Sequence, residues 1–326
     1  MGLFSMIYRK NFVHRYDDDH IIKYFSYKDF SGLEQRPVSF RTPQGLTIRG
    51  HIYSYPDKVA SEKGHPKELV VFCHGLGGGH RSYMREIELI CRNGYEVLSY
   101  DCIGCWESDG SDIRGISESV NDLISCIDYI CSSDELKGRA IHVIGHSWGG
   151  FAAGNILNFR KTNIKSVTVI SGFASIDTLT DAGFGGKLKP FKKYIKRFER
   201  KANAELADCC SVDAFKDTDV KALLIHSRDD QMADISTGMD YVRARISNPN
   251  VKYLEVEGKF HNPNYTEDAV TYMRQTFGEY EALVKSKKLR TFEQKKAYMA
   301  DKDFLRMTEQ DGKIWDKIFS HMEKAL

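Results

Sequence analysis

Hydrophobic and polar positions alternate along the chain in two rhythms. From Pro37 to Tyr55, "PVSFRTPQGLTIRGHIYSY" switches apolar and polar around Pro-Gln-Gly, which predicts a hairpin of Val38–Phe40 against Leu46–Tyr55. Leu69 to Gly75, "LVVFCHG", is a continuous apolar run, as expected of a strand buried on both faces. "MREIELICRNG" then has helical spacing and stops at Gly94, and "YEVLSYD" is the next strand. "ISESVNDLISCIDYICSS" is helical, with Ser117 placed as a capping residue. The strand "AIHVIGHS" leads into the helix "GGFAAGNILNF"; "IKSVTVISG", "VKALLIHS" and "VKYLEVEG" follow as strands, and "TGMDYVRARI" and "EDAVTYMRQTFGEYEALVKS" as helices. Strands alternating with helices predict an α/β fold, a mostly parallel central sheet with helices on both faces and an antiparallel edge from the hairpin.

Two stretches break the rhythm, and they set the expected organisation. Residues 173–207 interrupt two core strands and 289–326 form a polar, helix-rich tail, leaving 1–36 as an N-terminal segment and 37–172 with 208–288 as the core. In the interruption, Leu188, Phe191, Ile195 and Phe198 recur at spacings of three and four, with lysines and arginines on the other face. That is an amphipathic helix, with Pro190 acceptable in its first turn and "DAGFGGK" before it as a hinge.

Composition narrows the function classes. The chain has 326 residues, and 47 Lys and Arg stand against 45 Asp and Glu, so no charge excess points to nucleic acid. No apolar run reaches membrane-span length, and the N-terminus has neither a signal-type apolar core nor the serine or threonine of a myristoylation site, so a cytoplasmic location is expected. Of eight cysteines, Cys102 and Cys105 form a C-x-x-C, but it follows a strand, contains Gly104 and has no second pair, which argues against a redox or zinc role.

The chemistry concentrates at "GHSWG", Gly145 to Gly149. At ordinary residue frequencies G-x-S-x-G is expected about 0.1 times in a chain of this length, before any demand for a strand ahead and a helix behind. In that setting the glycines make room for a sharp turn that lifts the Ser147 hydroxyl out of the sheet and aims a helix N-terminus at it. A nucleophilic serine here requires an acid and then a histidine downstream. Only His226, His261 and His321 follow Ser147; His261 sits in a loop directly after a strand, where a base can reach the strand ends. Asp229 and Asp230 both follow the strand "VKALLIHS", and the loop spacing favours Asp230. "HGLGGGH", from His74 and Gly75 to His80, lacks the lysine ending of a phosphate loop and instead suits an oxyanion loop, with the Leu76 and Trp148 amides as donors.

"HGLGG", "DCIGCWESDG", "GHSWGG", "SRDDQM" and "GKFHNP" lie in an order and spacing that resembles the α/β-hydrolase fold over roughly Pro37–Ser286, most like the monoacylglycerol lipase, bacterial carboxylesterase and serine aminopeptidase group. The resemblance implies a triad of Ser147, Asp230 and His261, an oxyanion hole at Leu76 and Trp148, support from His74, Gly75, Gly145 and Gly149, and neither metal nor organic cofactor. The family's D-x-x-G-x-G-x-S loop falls on Asp101–Ser108, where Trp106 replaces the second glycine and is expected to narrow the pocket. The amphipathic insertion is expected to act as a lid, its apolar face over an acyl pocket and its basic face in solvent or weakly attracted to an anionic membrane surface. These features predict a small-molecule esterase working through an acyl-enzyme. Two rivals stand beside it: an aminopeptidase on the same triad, with Glu107 or Asp177 as an amine-binding acid, and a non-catalytic binding protein on a hydrolase scaffold.

Overall fold

The computed structural model describes residues 3–325. A twisted eight-stranded sheet is its centre, in the order β1-β2-β4-β3-β5-β6-β7-β8. The strands are β1 (Glu34–Arg41), β2 (Thr47–Ser54), β3 (Glu68–Cys73), β4 (Glu96–Tyr100), β5 (Ala140–His146), β6 (Ile164–Ile170), β7 (Lys221–Ser227) and β8 (Val251–Val256). The predicted hairpin is β1–β2, with Val38 opposite Gly50 and Phe40 opposite Ile48. It joins β4 antiparallel, and every other pairing is parallel. Val38 and Phe40 are buried while Ser39 and Arg41 are exposed, the alternation of a one-sided edge, whereas all of β3 is buried.

The helices, in chain order, are α1 (Leu3–Phe12), α2 (Pro56–Val59), α3 (Met84–Arg92), α4 (Glu118–Ser132), α5 (Trp148–Asn155), α6 (Ile176–Ala182), α7 (Lys192–Ala202), α8 (Ser211–Lys216), α9 (Met239–Arg243), α10 (Glu267–Lys285), α11 (Phe292–Ala300), α12 (Phe304–Met307) and α13 (Gly312–Glu323). Helices α4, α5, α8 and α9 share one apolar core with the sheet, and α3 and α13 share the other. Here the structure corrects the expectation that α10 is the last core helix and that a polar tail follows. Ile314, Trp315, Ile318 and Met322 of α13 are buried against the sheet, while α10 buries only Ala269, Val270 and Thr276 and packs on α12.

Ser117 differs too. It precedes α4 in a right-handed helical conformation without capping the helix through its side chain. Its hydroxyl donates instead to Glu199 of α7, 2.6 Å away. Glu199 is fully buried and also accepts from the Ser117 and Ile116 amides (3.0 and 2.9 Å) and from the Tyr8 hydroxyl of α1 (2.8 Å). Burial and then the Glu199 charge push the Tyr8 phenol well up, which keeps it a donor. One carboxylate thus ties the N-terminal helix, the insertion and the start of α4 together.

Within the insertion, Pro190 lies in a 3-10 turn, Lys189–Phe191, just ahead of α7 rather than inside it. Three of the six basic residues of α7 are paired: Lys192 with Asp181, Lys196 with Asp177 and Asp208, Arg200 with Asp208. Among the described residues no helix is long and apolar enough to cross a membrane.

Candidate active site

Parallel strands deliver the site residues to one edge of the sheet, beyond their carboxyl ends, where such sheets bind ligands. Strands β3 and β5 are neighbours with Cys73 beside Gly145, so the loop after β3 and the turn after β5 emerge together. Ser147 occupies that turn with φ 56° and ψ −113°, a strained conformation for a side-chain-bearing residue. The flanking glycines are sterically required. A Cβ at Gly145 would stand 2.1 Å from the Gly149 carbonyl oxygen, and one at Gly149 would stand 2.1 Å from that of Cys73. The Ser147 amide donates to the Ile170 carbonyl at 2.8 Å, pinning the turn to β6.

The loops after β7 and β8 bring Asp230 and His261 to this serine. His261 Nδ1 lies 2.8 Å from Asp230 Oδ2, and His261 Nε2 lies 2.8 Å from Ser147 Oγ. A carboxylate can only accept, so Nδ1 carries the ring proton and Nε2 is left to accept from the hydroxyl. Asp230 is buried. Burial opposes its charge, but hydrogen bonds from His226 and His261 outweigh that and hold the carboxyl well below its usual range. The Met232 and Ala233 amides donate to its other oxygen at 2.9 and 3.1 Å. Asp229 turns elsewhere, accepting from the Ser227 hydroxyl at 2.5 Å and the Phe260 amide at 3.3 Å. Ser147, His261 and Asp230 therefore form one hydrogen-bonded line from a half-buried hydroxyl at the cavity to a buried charge.

Leu76 lines the cavity at the serine, and Trp148 opens α5. Among the described residues neither backbone amide donates to a protein acceptor. His74 does not face the cavity. It is fully buried, donates from Nδ1 to the Gly75 carbonyl at 2.8 Å and accepts from the Cys102 amide at Nε2, 3.0 Å, which pins β3 to the loop after β4.

The cavity at Ser147 measures about 290 Å³ and is apolar. The insertion supplies Phe173, Ile176, Leu179, Leu188 and Ile195, and the core supplies Ile116 and Met232. Tyr8, Phe12 and Tyr16 close another side, so the N-terminal segment builds a wall that the sequence pattern did not show. Of the expected apolar stripe, Leu188 and Ile195 face the cavity. Phe198 meets the Tyr8 ring instead, with 5.4 Å between centroids, and Phe191 packs on the adjoining core.

Trp106 does not narrow the cavity. Its indole lies behind the loop after β3, where a Cβ on Gly79 would come within 2.6 Å of it, and Tyr24 packs on its edge. Its φ of 39° is a value that glycine adopts freely, and its backbone is held by bonds to Arg15 and Tyr16. The Cys102 and Cys105 thiols are buried, and burial pushes both well up, opposite to an activated thiolate.

Sequence reasoning passed over His226 as the base and did not foresee its contact with the acid: its Nε2 lies 2.7 Å from the Ala233 carbonyl and 3.2 Å from Asp230. It also missed Glu199, a charged residue on the otherwise apolar side of α7, which was the available signal.

Comparison with known proteins agrees with this fold. The family model for the alpha/beta hydrolase fold matches residues 68–208. A proline iminopeptidase of Clostridioides difficile is 29% identical over 119 residues, 36% of this chain and 40% of that enzyme, so the match takes in well under half of the relative. A 2-hydroxy-6-oxononadienedioate/2-hydroxy-6-oxononatrienedioate hydrolase of Klebsiella pneumoniae is 26% identical over 213 residues, covering 63% of this chain and 67% of that one. Among solved structures, the Pyrococcus furiosus esterase Pf2001 superposes with a TM-score of 0.57 at 20% identity, covering 85% of this chain and 96% of the esterase.

Proposed function

This chain has the α/β-hydrolase fold, and from the fold and the site together we propose that it is a serine hydrolase cleaving neutral carboxylic esters through an acyl-enzyme. The observation that carries the reading is the continuous hydrogen-bonded line Ser147–His261–Asp230 opening into an apolar cavity. Ser147 Oγ attacks the ester carbonyl as its proton passes to His261 Nε2. The Leu76 and Trp148 amides receive the oxyanion, and the imidazolium returns the proton to the leaving alcohol. Asp230 keeps the tautomer and stabilises the charged ring. Water then repeats the sequence on the acyl-enzyme and releases the acid.

The cavity lining favours a neutral substrate. Among the described lining residues there is no aspartate, glutamate, lysine or arginine. An aminopeptidase needs a carboxylate for the substrate amine, yet Glu107 and Asp177 are both outside the lining, and Asp177 is paired with Lys196. A dioate substrate, as in the name of the Klebsiella relative, calls for cations that the lining lacks. The Tyr8 and Tyr16 hydroxyls donate to Glu199 and the Phe12 carbonyl, so the wall they form is apolar toward the cavity. We further propose that the insertion serves as a lid through Leu188 and Ile195.

A fluorophosphonate probe, p-nitrophenyl acyl esters and aminoacyl anilides test the reading side by side. Probe labelling and ester turnover that vanish in Ser147→Ala support it. Labelling that persists in that variant refutes it, and faster cleavage of the anilides would transfer the chain to the peptidase class.

A further inference from the structure

Two side chains outside the triad connect the loop after β3 to the loop that carries His261. The Gly75 amide donates to the Tyr83 hydroxyl oxygen at 3.0 Å, the Tyr83 hydroxyl lies 2.8 Å from His146 Nδ1, and His146 Nε2 lies 2.8 Å from the His261 carbonyl oxygen. The proton positions follow from the ends of the line. A carbonyl oxygen only accepts, so His146 Nε2 carries the proton and Nδ1 is an acceptor. Tyr83 must then donate to Nδ1, which leaves its oxygen to accept from Gly75. The line is directed, with each donor and acceptor used once.

We infer that Tyr83 and His146 are a positioning pair that holds the Leu76 oxyanion donor and the His261 imidazole in register with Ser147. The inference rests on the triad reading above. His146 is the residue before Ser147 in the strained turn, its ring centroid is 4.9 Å from that of His261, and it grips the His261 backbone while Asp230 grips the ring. Tyr83 abuts Gly75 so closely that a Cβ there would stand 2.6 Å from the phenol oxygen. Gly75 immediately precedes Leu76, so the Tyr83 bond holds the peptide plane next to the one that carries the Leu76 amide, and the Gly75 carbonyl in that second plane accepts from His74 Nδ1 at 2.8 Å. The Tyr83 ring packs on Phe72 of β3, with 5.2 Å between centroids, which anchors the line in the sheet core. Burial, and then the neighbouring His261, pushes the His146 imidazole down to about 3, so the neutral ring that the line requires persists across the working pH range.

The test uses the full-length protein, p-nitrophenyl butyrate and a fluorophosphonate, with circular dichroism to fix the folded fraction. Tyr83→Phe removes the hydroxyl and leaves its volume. It should lower kcat by roughly 10- to 100-fold, as sub-ångström to 1 Å misplacement of reacting groups does, with KM changed by less than about two-fold. His146→Gln places an amide NH near the former Nε2 and keeps the bond to the His261 carbonyl. His146→Asn reaches only the former Nδ1 position and loses that bond. Glutamine should therefore retain most of the activity that asparagine loses. Wild-type kcat and labelling rate in both Tyr83→Phe and His146→Asn would overturn the inference. Equal losses in glutamine and asparagine that follow the unfolded fraction would overturn it too, reducing the pair to structural packing. Absence of labelling in the wild-type protein would instead sink the triad reading and take this inference with it. If Tyr83→Phe does not fold, the glutamine–asparagine contrast decides alone.

Discussion

Removing the Glu199 carboxylate tests whether the insertion is held shut from inside. Four donors converge on it: the Tyr8 and Ser117 hydroxyls and the Ile116 and Ser117 amides, at 2.6 to 3.0 Å. Glu199→Ala strands two buried amides and two hydroxyls. A hydrogen bond to a charged group is worth about 1.5–3 kcal/mol net, and an orphaned buried donor costs a further ~1–3 kcal/mol. The terms are not additive, and the desolvation of the carboxylate is recovered when it is removed. A total on the order of 3–5 kcal/mol is the reasonable expectation, by analogy with broken buried pairs. That is a large part of a domain's whole stability. The loss should be local, because α1 and α7 meet the rest of the protein around this group. Urea unfolding should show a destabilised phase or a lower midpoint, and amide exchange should quicken across residues 192–202 and 8–12. Turnover of longer esters should fall as the cavity wall at Tyr8 and Ile195 loosens, while acetate esters are nearly spared. A change under about 1 kcal/mol with unaltered exchange in α7 would refute the reasoning.

Asp230→Asn should lower kcat by roughly a thousand- to ten-thousand-fold through loss of the tautomer clamp, and Asp229→Asn far less; the reverse order in steady-state assays would reassign the acid. Ile195→Ala should penalise long esters progressively in kcat/KM, by up to about four-fold for each methylene that loses its burial at ~0.8 kcal/mol, whereas a uniform loss across chain lengths would make Ile195 ordinary packing. Glu86 predicts a pH effect on stability: burial pushes its carboxyl up to about 7 against hydrogen bonds from Tyr265, Asn264 and Gln310. Because the folded protein favours the protonated form, that contribution is full below about 4.5 and is lost as pH rises through about 7, at up to ~1.4 kcal/mol per pH unit. Glu86→Gln should flatten this slope in urea midpoints measured from pH 5 to 8, and an unchanged slope would exclude the group.

The local rules of chain geometry made much of this protein legible in sequence. A strand buried on both faces must read as an apolar run, which marked β3 and β5, and a turn as tight as that at Ser147 admits only glycine on either side. The chain order of serine, acid and histidine followed from the order in which this type of serine turn is known to be completed. What lay beyond reach depends on contacts between distant segments. Tyr8 meets Glu199 across 191 residues, and no periodicity in either helix encodes that bond. Residues 289–326 read as a polar tail outside the core, yet α13 buries its apolar side against the sheet. Only packing decides which of two amphipathic helices reaches the sheet and which remains outside it. The family resemblance of its loop placed Trp106 beside the site, yet its left-handed backbone turns the indole behind the loop. The sequence determined which atoms could form the proton line, because strand ends and tight turns are local. The tertiary structure decided what surrounds them, because walls, clamps and covering helices depend on which distant surfaces exclude water together.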